Sequence, residues 1–241
     1  MDAVIKVGGS LAENPKVLNA LGDELCLIAK THSVVVVPGG GKFADVVREL
    51  DSKFALSASL SHKMAILAMD QYGMFLSHVV PDCRSCDSLE AAQKIAKEGA
   101  VPIFLPSKLF SQEDPFEPSW DVTSDSIAAY TAVKVNAVMA IFVTDVNGIF
   151  TKDPKKHADA KLLQKISAHE LASSGERTSV DKFLPNFLME NPLDCYVVNG
   201  EYPKRIAAVL SNQETVCTQI YVDLKQQKQN ASKLFLGSAL V

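Results

Sequence analysis

The stretch Val34-Val35-Val36-Val37-Pro38-Gly39-Gly40-Gly41-Lys42-Phe43 (VVVVPGGGKF) decides the fold class. The run Ser33–Val37 holds four consecutive valines and has no polar face. That is the pattern of a strand covered on both sides, as in a parallel sheet. Three glycines follow at once, and Lys42–Leu50 then takes helical spacing. Strand, glycine turn and helix in direct succession form one arm of a βαβ unit.

The same order appears at the start of the chain. Ala3–Val7 is a short β-branched run inside VIKVGGSL (residues 4–11), which ends in Gly8-Gly9-Ser10. Pro15–Lys30 follows as a helix, with Val17, Leu21, Leu25 and Ile28 on one face and Asn14 as N-cap. Lys6 stands inside that apolar strand. A lysine there needs either solvent at a sheet edge or a negatively charged group nearby. Backbone N–H groups in glycine turns ahead of helices suit an anion. Two such turns, one with a lysine in the strand before it, point to an anion site.

Further along, residues 57–78 form a longer helix that is apolar nearly all round, which places it in the core or at a subunit interface. Ser88–Lys97 reads as helix, Val101–Leu105 as strand, Pro106–Pro118 as loop, Val122–Asn136 as helix and Ala137–Val143 as buried strand. Asn147-Gly148 is a turn signal before Ile149-Phe150. Asp181–Glu190 and Pro203–Leu210 read as helices, Cys195–Val198 and Val216–Val222 as strands. This alternation predicts an α/β protein, a three-layer α/β/α sandwich around a mainly parallel sheet. Residues 1–222 make one domain and 223–241 a C-terminal tail.

Composition sets outer limits. The chain has 241 residues, 47% of them hydrophobic and 22% charged, so a sizeable core is available. A formal net charge of −4 argues against bulk nucleic-acid or membrane-surface binding. No apolar run reaches the ~18 residues needed to span a bilayer. Five cysteines, an odd number, and no basic leader segment before the first strand imply reduced thiols and a cytoplasmic protein. Cys83-Arg84-Ser85-Cys86 is a lone C-x-x-C pair, whereas structural zinc needs about four ligands.

Other candidate residues each have a plain alternative. In SWDVTSDS (119–126), Asp121 is either an N-cap or a site residue; Asp125, in the first helical turn, could orient lysines. In VTDVNGIFTKDP (143–154), a hairpin with exposed acids competes with a nucleotide site in which Asp145 and Asp153 lie near ribose or metal and Phe150 beside the base. Lys182 lies just inside a helix N-terminus, a poor place for a cation unless a phosphate shares it. His62, near the start of the long helix, is a polar cap or a contact for an acceptor substrate. Gly39, Gly41 and Ala44 fit a loose G-x-G-x-x-A dinucleotide pattern, but the acidic residue that pattern requires about 20 residues on is missing, which argues against a dinucleotide oxidoreductase.

Together the segments VIKVGGSL, VVVVPGGGKF, VTSDSIAAY (122–130), VTDVNGIFTKDP and the Lys182 region resemble the amino acid kinase family over roughly residues 2–222. The resemblance implies an ATP-dependent kinase that uses Mg²⁺, with Lys6 and Lys182 at the transferred phosphoryl group and Asp125 holding the lysines. It puts Gly8, Gly9 and Ser10 against the ATP phosphates, with Thr144, Asp145, Phe150 and Asp153 in the nucleotide segment from about residue 140. Gly39, Gly40 and Gly41, with Asp121 and Thr123, fall on the acceptor side; no metal ligand is assigned.

Many relatives carry glycine-methionine before the second lysine, where this chain has Ser179-Val180-Asp181. Isopentenyl phosphate kinases usually show histidine before the three glycines, where this chain has Pro38. The segments look most like the archaeal uridylate-kinase-like subgroup. This implies a small phosphomonoester acceptor, first among them the aminomethyl-furan-methyl phosphate of methanofuran biosynthesis, whose amine Asp121 and Asp181 would suit. UMP, isopentenyl phosphate and amino acids are the alternative acceptors, and an anion-binding protein without turnover is the alternative of another class. A homo-oligomer is expected from the apolar helix.

Overall fold

In the computed structural model, which describes residues 1–174 and 178–223, ten strands occur in the order β1 (Ala3–Val7), β2 (Val34–Pro38), β3 (Cys83–Cys86), β4 (Val101–Phe104), β5 (Met139–Thr144), β6 (Ile149–Phe150), β7 (Leu162–Leu163), β8 (Lys165–Ser167), β9 (Asp194–Asn199) and β10 (Thr218–Tyr221). Eight of them form one sheet in the order β3-β4-β2-β1-β5-β9-β10-β8. Every pairing in it is parallel except β9 with β10. The helices are α1 (Pro15–Ala29), α2 (Gly41–Phe54), α3 (Ala58–Val79), α4 (Leu89–Lys97), α5 (Ser107–Gln112), α6 (Ser124–Lys134), α7 (Ala168–Ser174), α8 (Leu184–Glu190) and α9 (Lys204–Leu210), with a 3₁₀ turn at Gly9–Glu13.

The central strands are buried on both faces, as the valine run requires. Val4, Val35, Val37 and Phe142 pack on one side with Ile127 and Ala128 of α6 and Leu184 and Leu188 of α8. Ala3, Ile5, Val7, Val36 and Val143 pack on the other with Leu18, Leu21 and Leu25 of α1 and Ile206 of α9. The period-2 split along β1 sends neighbouring side chains into opposite layers. The three-layer α/β/α expectation therefore holds.

Several boundaries differ from the sequence reading. Residues 106–118 are not all loop, because α5 forms within them. Cys83–Cys86 is the edge strand β3, where alternation sends the two thiols to opposite faces. Asn147-Gly148 does not close a hairpin with β5: β6 instead pairs antiparallel with β7 in a separate two-stranded sheet. The helix expected from Val122 starts at Ser124, since Thr123 is still extended (φ −132°, ψ −165°). Likewise α8 starts at Leu184, so Lys182 lies in the turn before the helix. The tail proposed for 223–241 lies outside the described residues beyond Asp223.

Candidate active site

Lys6 sits in β1, the strand between β2 and β5, in register with Val37 and Phe142. Its ammonium lies 2.9 Å from Asp125 Oδ1, and the two side chains are only 11% and 6% exposed. A buried ion pair is tolerated when its remaining lone pairs find donors. Asp125 Oδ2 accepts the Asp181 N–H at 3.0 Å. Its Oδ1 has the lysine alongside but receives no directed hydrogen bond. Asp125 also stands in the first turn of α6, where the helix end favours a carboxylate. The negative partner that the sequence demanded for Lys6 is this aspartate.

The two glycine turns touch. A Cβ on Gly9 would fall 2.1 Å from Gly41 Cα, and Gly41 itself has φ +53°. Gly8 N–H donates to the Val143 carbonyl and Gly39 N–H to the Val7 carbonyl, each at 2.8 Å, so the ladder runs one residue past each strand before the chain turns. Beside the paired turns opens a cavity of about 390 Å³. Of the candidate site residues singled out in the sequence, Lys6, Gly9, Ser10, Gly39, Gly40, Gly41, His62, Thr123, Asp125 and Asp181 line it.

Gly8, Asp121, Thr144, Asp145, Phe150, Asp153 and Lys182 are not part of that wall. Gly8 is consumed by the ladder, and its carbonyl accepts from Tyr72 Oη at 3.3 Å. Asp121 is exposed and does not cap α6. Lys182 is exposed. The remaining four lie at the end of β5 and beyond it. Asp145 meets Lys155 Nζ at 2.6 Å. Burial works to raise the Asp145 carboxyl, but the hydrogen bond and charge of Lys155 outweigh it and hold the group below its ordinary value. Asp153 organises its own turn by accepting Lys155 N–H at 2.9 Å. Beside this segment Asn147 Oδ1 accepts from Arg205 at 2.7 Å and from Asn199 at 3.3 Å.

Asp181 corrects an expectation. Its carboxylate accepts from Thr123 N and Oγ1, Ser126 N and Oγ, and Leu184 N, at 2.7–3.0 Å. It thus caps α6 and α8 at once and has no capacity left for a substrate amine. With Asp121 exposed and outside the cavity wall, the pair proposed for an aminomethyl group does not form. An aspartate three residues ahead of Leu184-Pro185 is a capping pattern, whereas the sequence reading placed Asp181 inside the helix.

The cavity wall also holds two residues that sequence reasoning did not assign to a site, Arg48 and Trp120. Trp120 Nε1 donates to Asp51 at 2.6 Å, and the Arg48 guanidinium lies 4.8 Å over the Trp120 ring while bonding Asp45 at 2.9 Å. These join α2 to the segment entering α6. His62 is not a cap: Ser57 receives the Leu60 N–H at the start of α3, and His62 lies buried a turn later.

The amino acid kinase family profile matches residues 1–199 of the chain. This chain belongs to the amino acid kinase family. The kinase is 36% identical over 220 residues to the [5-(aminomethyl)furan-3-yl]methyl phosphate kinase of Methanocaldococcus jannaschii, covering 90% of this chain and 96% of that one. It is 24% identical over 225 residues to the uridylate kinase of Pyrococcus abyssi, covering 87% and 95%. Among solved structures it resembles uridylate kinase from Archaeoglobus fulgidus, with TM-score 0.72, 22% identity and coverage of 91% of this chain and 100% of that one. UMP kinase from Bacillus anthracis gives TM-score 0.74 at 19% identity, covering 92% and 96%. Those two likenesses confirm the fold. The kinase is a phosphotransferase, and its family implies the use of ATP.

Among the described residues of the kinase, no three His, Cys, Asp or Glu side chains gather closely enough to hold a metal ion. The Cys83 and Cys86 thiols are pushed up by burial to about 12 and about 11, so neither is a thiolate near neutral pH. No helix among the described residues is long and apolar enough to cross a membrane.

Proposed function

We propose that this kinase transfers the γ-phosphoryl group of ATP to [5-(aminomethyl)furan-3-yl]methyl phosphate, giving the diphosphate and ADP. The observation that carries the reading is the cavity in which Lys6 and the two glycine turns converge, in a chain that matches the methanofuran-type relative nearly end to end. A phosphate oxygen of the acceptor attacks the γ-phosphorus, and the bond to the β–γ bridging oxygen breaks. A phosphomonoester is already a competent nucleophile, so no general base is required. What the protein must provide is alignment and neutralisation of charge on the equatorial oxygens.

In this reading Lys6 meets the transferred group, Asp125 sets its position, and Gly9 and Ser10 offer backbone N–H groups to ATP. Gly39–Gly41 and Thr123 take the acceptor phosphate. Lys182 supplies a second cation from the turn before α8, and Thr144, Asp145, Phe150 and Asp153 belong to the nucleotide half that begins near residue 140. Mg²⁺ bound to the nucleotide phosphates adds further neutralisation. The five free cysteines fit a reducing, cytoplasmic setting.

The reading with UMP as acceptor has its own support in the uridylate-kinase relatives. An ADP-release screen with Mg-ATP over the aminomethyl-furan phosphate, UMP and isopentenyl phosphate separates them. Turnover is expected with the first. Turnover of UMP alone would reassign the acceptor, and no ADP from any phosphomonoester would leave an anion-binding protein.

A further inference from the structure

His62, Ile66 and Met69 recur at helical spacing on the face of α3 that lines the active-site cavity. His62 is 7% exposed, and its Nε2 lies 2.9 Å from Asp114 Oδ2. The other oxygen of Asp114 accepts the Phe116 N–H at 3.0 Å, which fixes the carboxylate in orientation. An ionised carboxylate can only accept, so Nε2 carries the proton. In the neutral imidazole Nδ1 is then a lone-pair acceptor, and among the described residues it has no hydrogen-bond partner.

Charge points the same way. The cations in the cavity wall each face an acid: Lys6 with Asp125, Arg48 with Asp45, and Lys42 with Glu13 at 3.9 Å. Asp114 places one more carboxylate behind His62, beside Ile66 and Met69, an apolar surface that suits a small unsaturated ring. We infer that His62, with its proton held on Nε2 by Asp114, is the residue that selects an amine-bearing acceptor, its Nδ1 taking a hydrogen bond from the substrate ammonium. This rests on the acceptor proposed above, and it gives the amine a partner now that Asp121 and Asp181 are excluded.

The test compares steady-state kinetics for the aminomethyl-furan phosphate and for the same phosphate without the aminomethyl group. His62→Gln keeps an N–H for Asp114 and removes the lone pair at Nδ1. Its KM for the amine acceptor should rise about tenfold or more, with kcat little changed and the amine-free analogue much less affected. His62→Asn, whose amide oxygen replaces Nδ1, should keep most of the preference. Asp114→Asn can donate to the ring, moves the proton to Nδ1 and should abolish the preference; these two variants decide the matter if His62→Gln does not fold.

An unchanged preference in His62→Gln, or an equal loss for both acceptors, overturns the inference while leaving the reaction assignment intact. Wild-type protein that turns over UMP but not the amine acceptor overturns both.

Discussion

The backbone N–H of Asp181 holds the carboxylate of Asp125 at 3.0 Å, while the carboxylate of Asp181 is itself held by α6 and α8. Two acids thus share one buried place without sharing a proton donor. The first is pinned so that it faces Lys6, and the second ties the start of α8 to the start of α6. Burial first, and the neighbouring Asp125 charge second, push the Asp181 carboxyl up from 3.8 to about 6.

A pH dependence follows from that shift. A carboxyl whose folded pKa is raised binds its proton more tightly in the folded state, so its contribution to stability is complete below about pH 4 and is lost as pH rises through about 6. Acidifying from pH 7.5 to 5 should therefore raise this group's contribution to the urea midpoint. Asp181→Asn should flatten that part of the profile. A midpoint difference that is the same in both proteins would remove Asp181 as the source.

Removing Lys6 leaves Asp125 buried without its counter-charge. Lys6→Ala should cost about 3–5 kcal/mol of stability and lower kcat by about 10²–10³. Lys6→Met with Asp125→Asn should recover much of the stability and none of the activity, because both charges have gone while the amide oxygen still accepts the Asp181 N–H. ADP-release rates and urea unfolding on the same samples separate the two effects. Unaltered activity in Lys6→Ala would end its assignment to the transferred phosphoryl group.

Gly9→Ala should part the two turns, since its methyl would lie 2.1 Å from Gly41 Cα and 2.3 Å from Gly41 N, both backbone atoms. A strain of about 1–3 kcal/mol is expected, together with a raised KM for ATP and for acceptor alike. A change confined to one substrate would show that the turns act separately.

Lys182 is exposed and outside the cavity wall, so Lys182→Ala should alter stability by no more than about 0.5 kcal/mol. Its loss should nevertheless lower kcat several-fold or more if the turn before α8 supplies a second cation to the phosphoryl group. Full activity in this variant would confine that role to Lys6.

Leu67 on α3, 53% exposed, lines a groove with Phe43 and Val46 of α2, which are exposed too, and Met74 farther along α3 is 60% exposed. We expect a second copy of the chain to cover this face. Light scattering should give a multiple of 26.1 kDa, and Leu67→Asp should shift the mass towards the monomer. A monomeric wild-type mass would refute it.

Much of this was legible beforehand, for identifiable reasons. Four consecutive valines admit few structures other than a covered strand, and each glycine turn announces the end of its strand. Lys6 in an apolar run demanded an anion, and Asp125 in a first helical turn was a fit partner. The wall beside Gly39–Gly41 was legible only in part: His62 was named as a cap or an acceptor contact, but Arg48 and Trp120 were not, because their proximity depends on how α2 lies against the entry to α6. Asp181 was assigned to the substrate because nearness in sequence to Lys182 does not reveal where a carboxylate's lone pairs are used. The short pieces β7, β8 and α7 carry too few residues to show a period.

The place of β1 has a consequence for synthesis of the chain. Lys6 belongs to the first strand made, yet that strand pairs with residues 34–38 on one side and with residues 139–144 on the other. The second pairing closes a long loop, a slow step in folding. Until residue 144 has left the ribosome, Lys6 has one open flank, and Asp125 has emerged only shortly before. Recovery of phosphoryl transfer during refolding would therefore report the closing of the sheet's middle, and nascent chains stopped short of β5 should be the ones that need a chaperone.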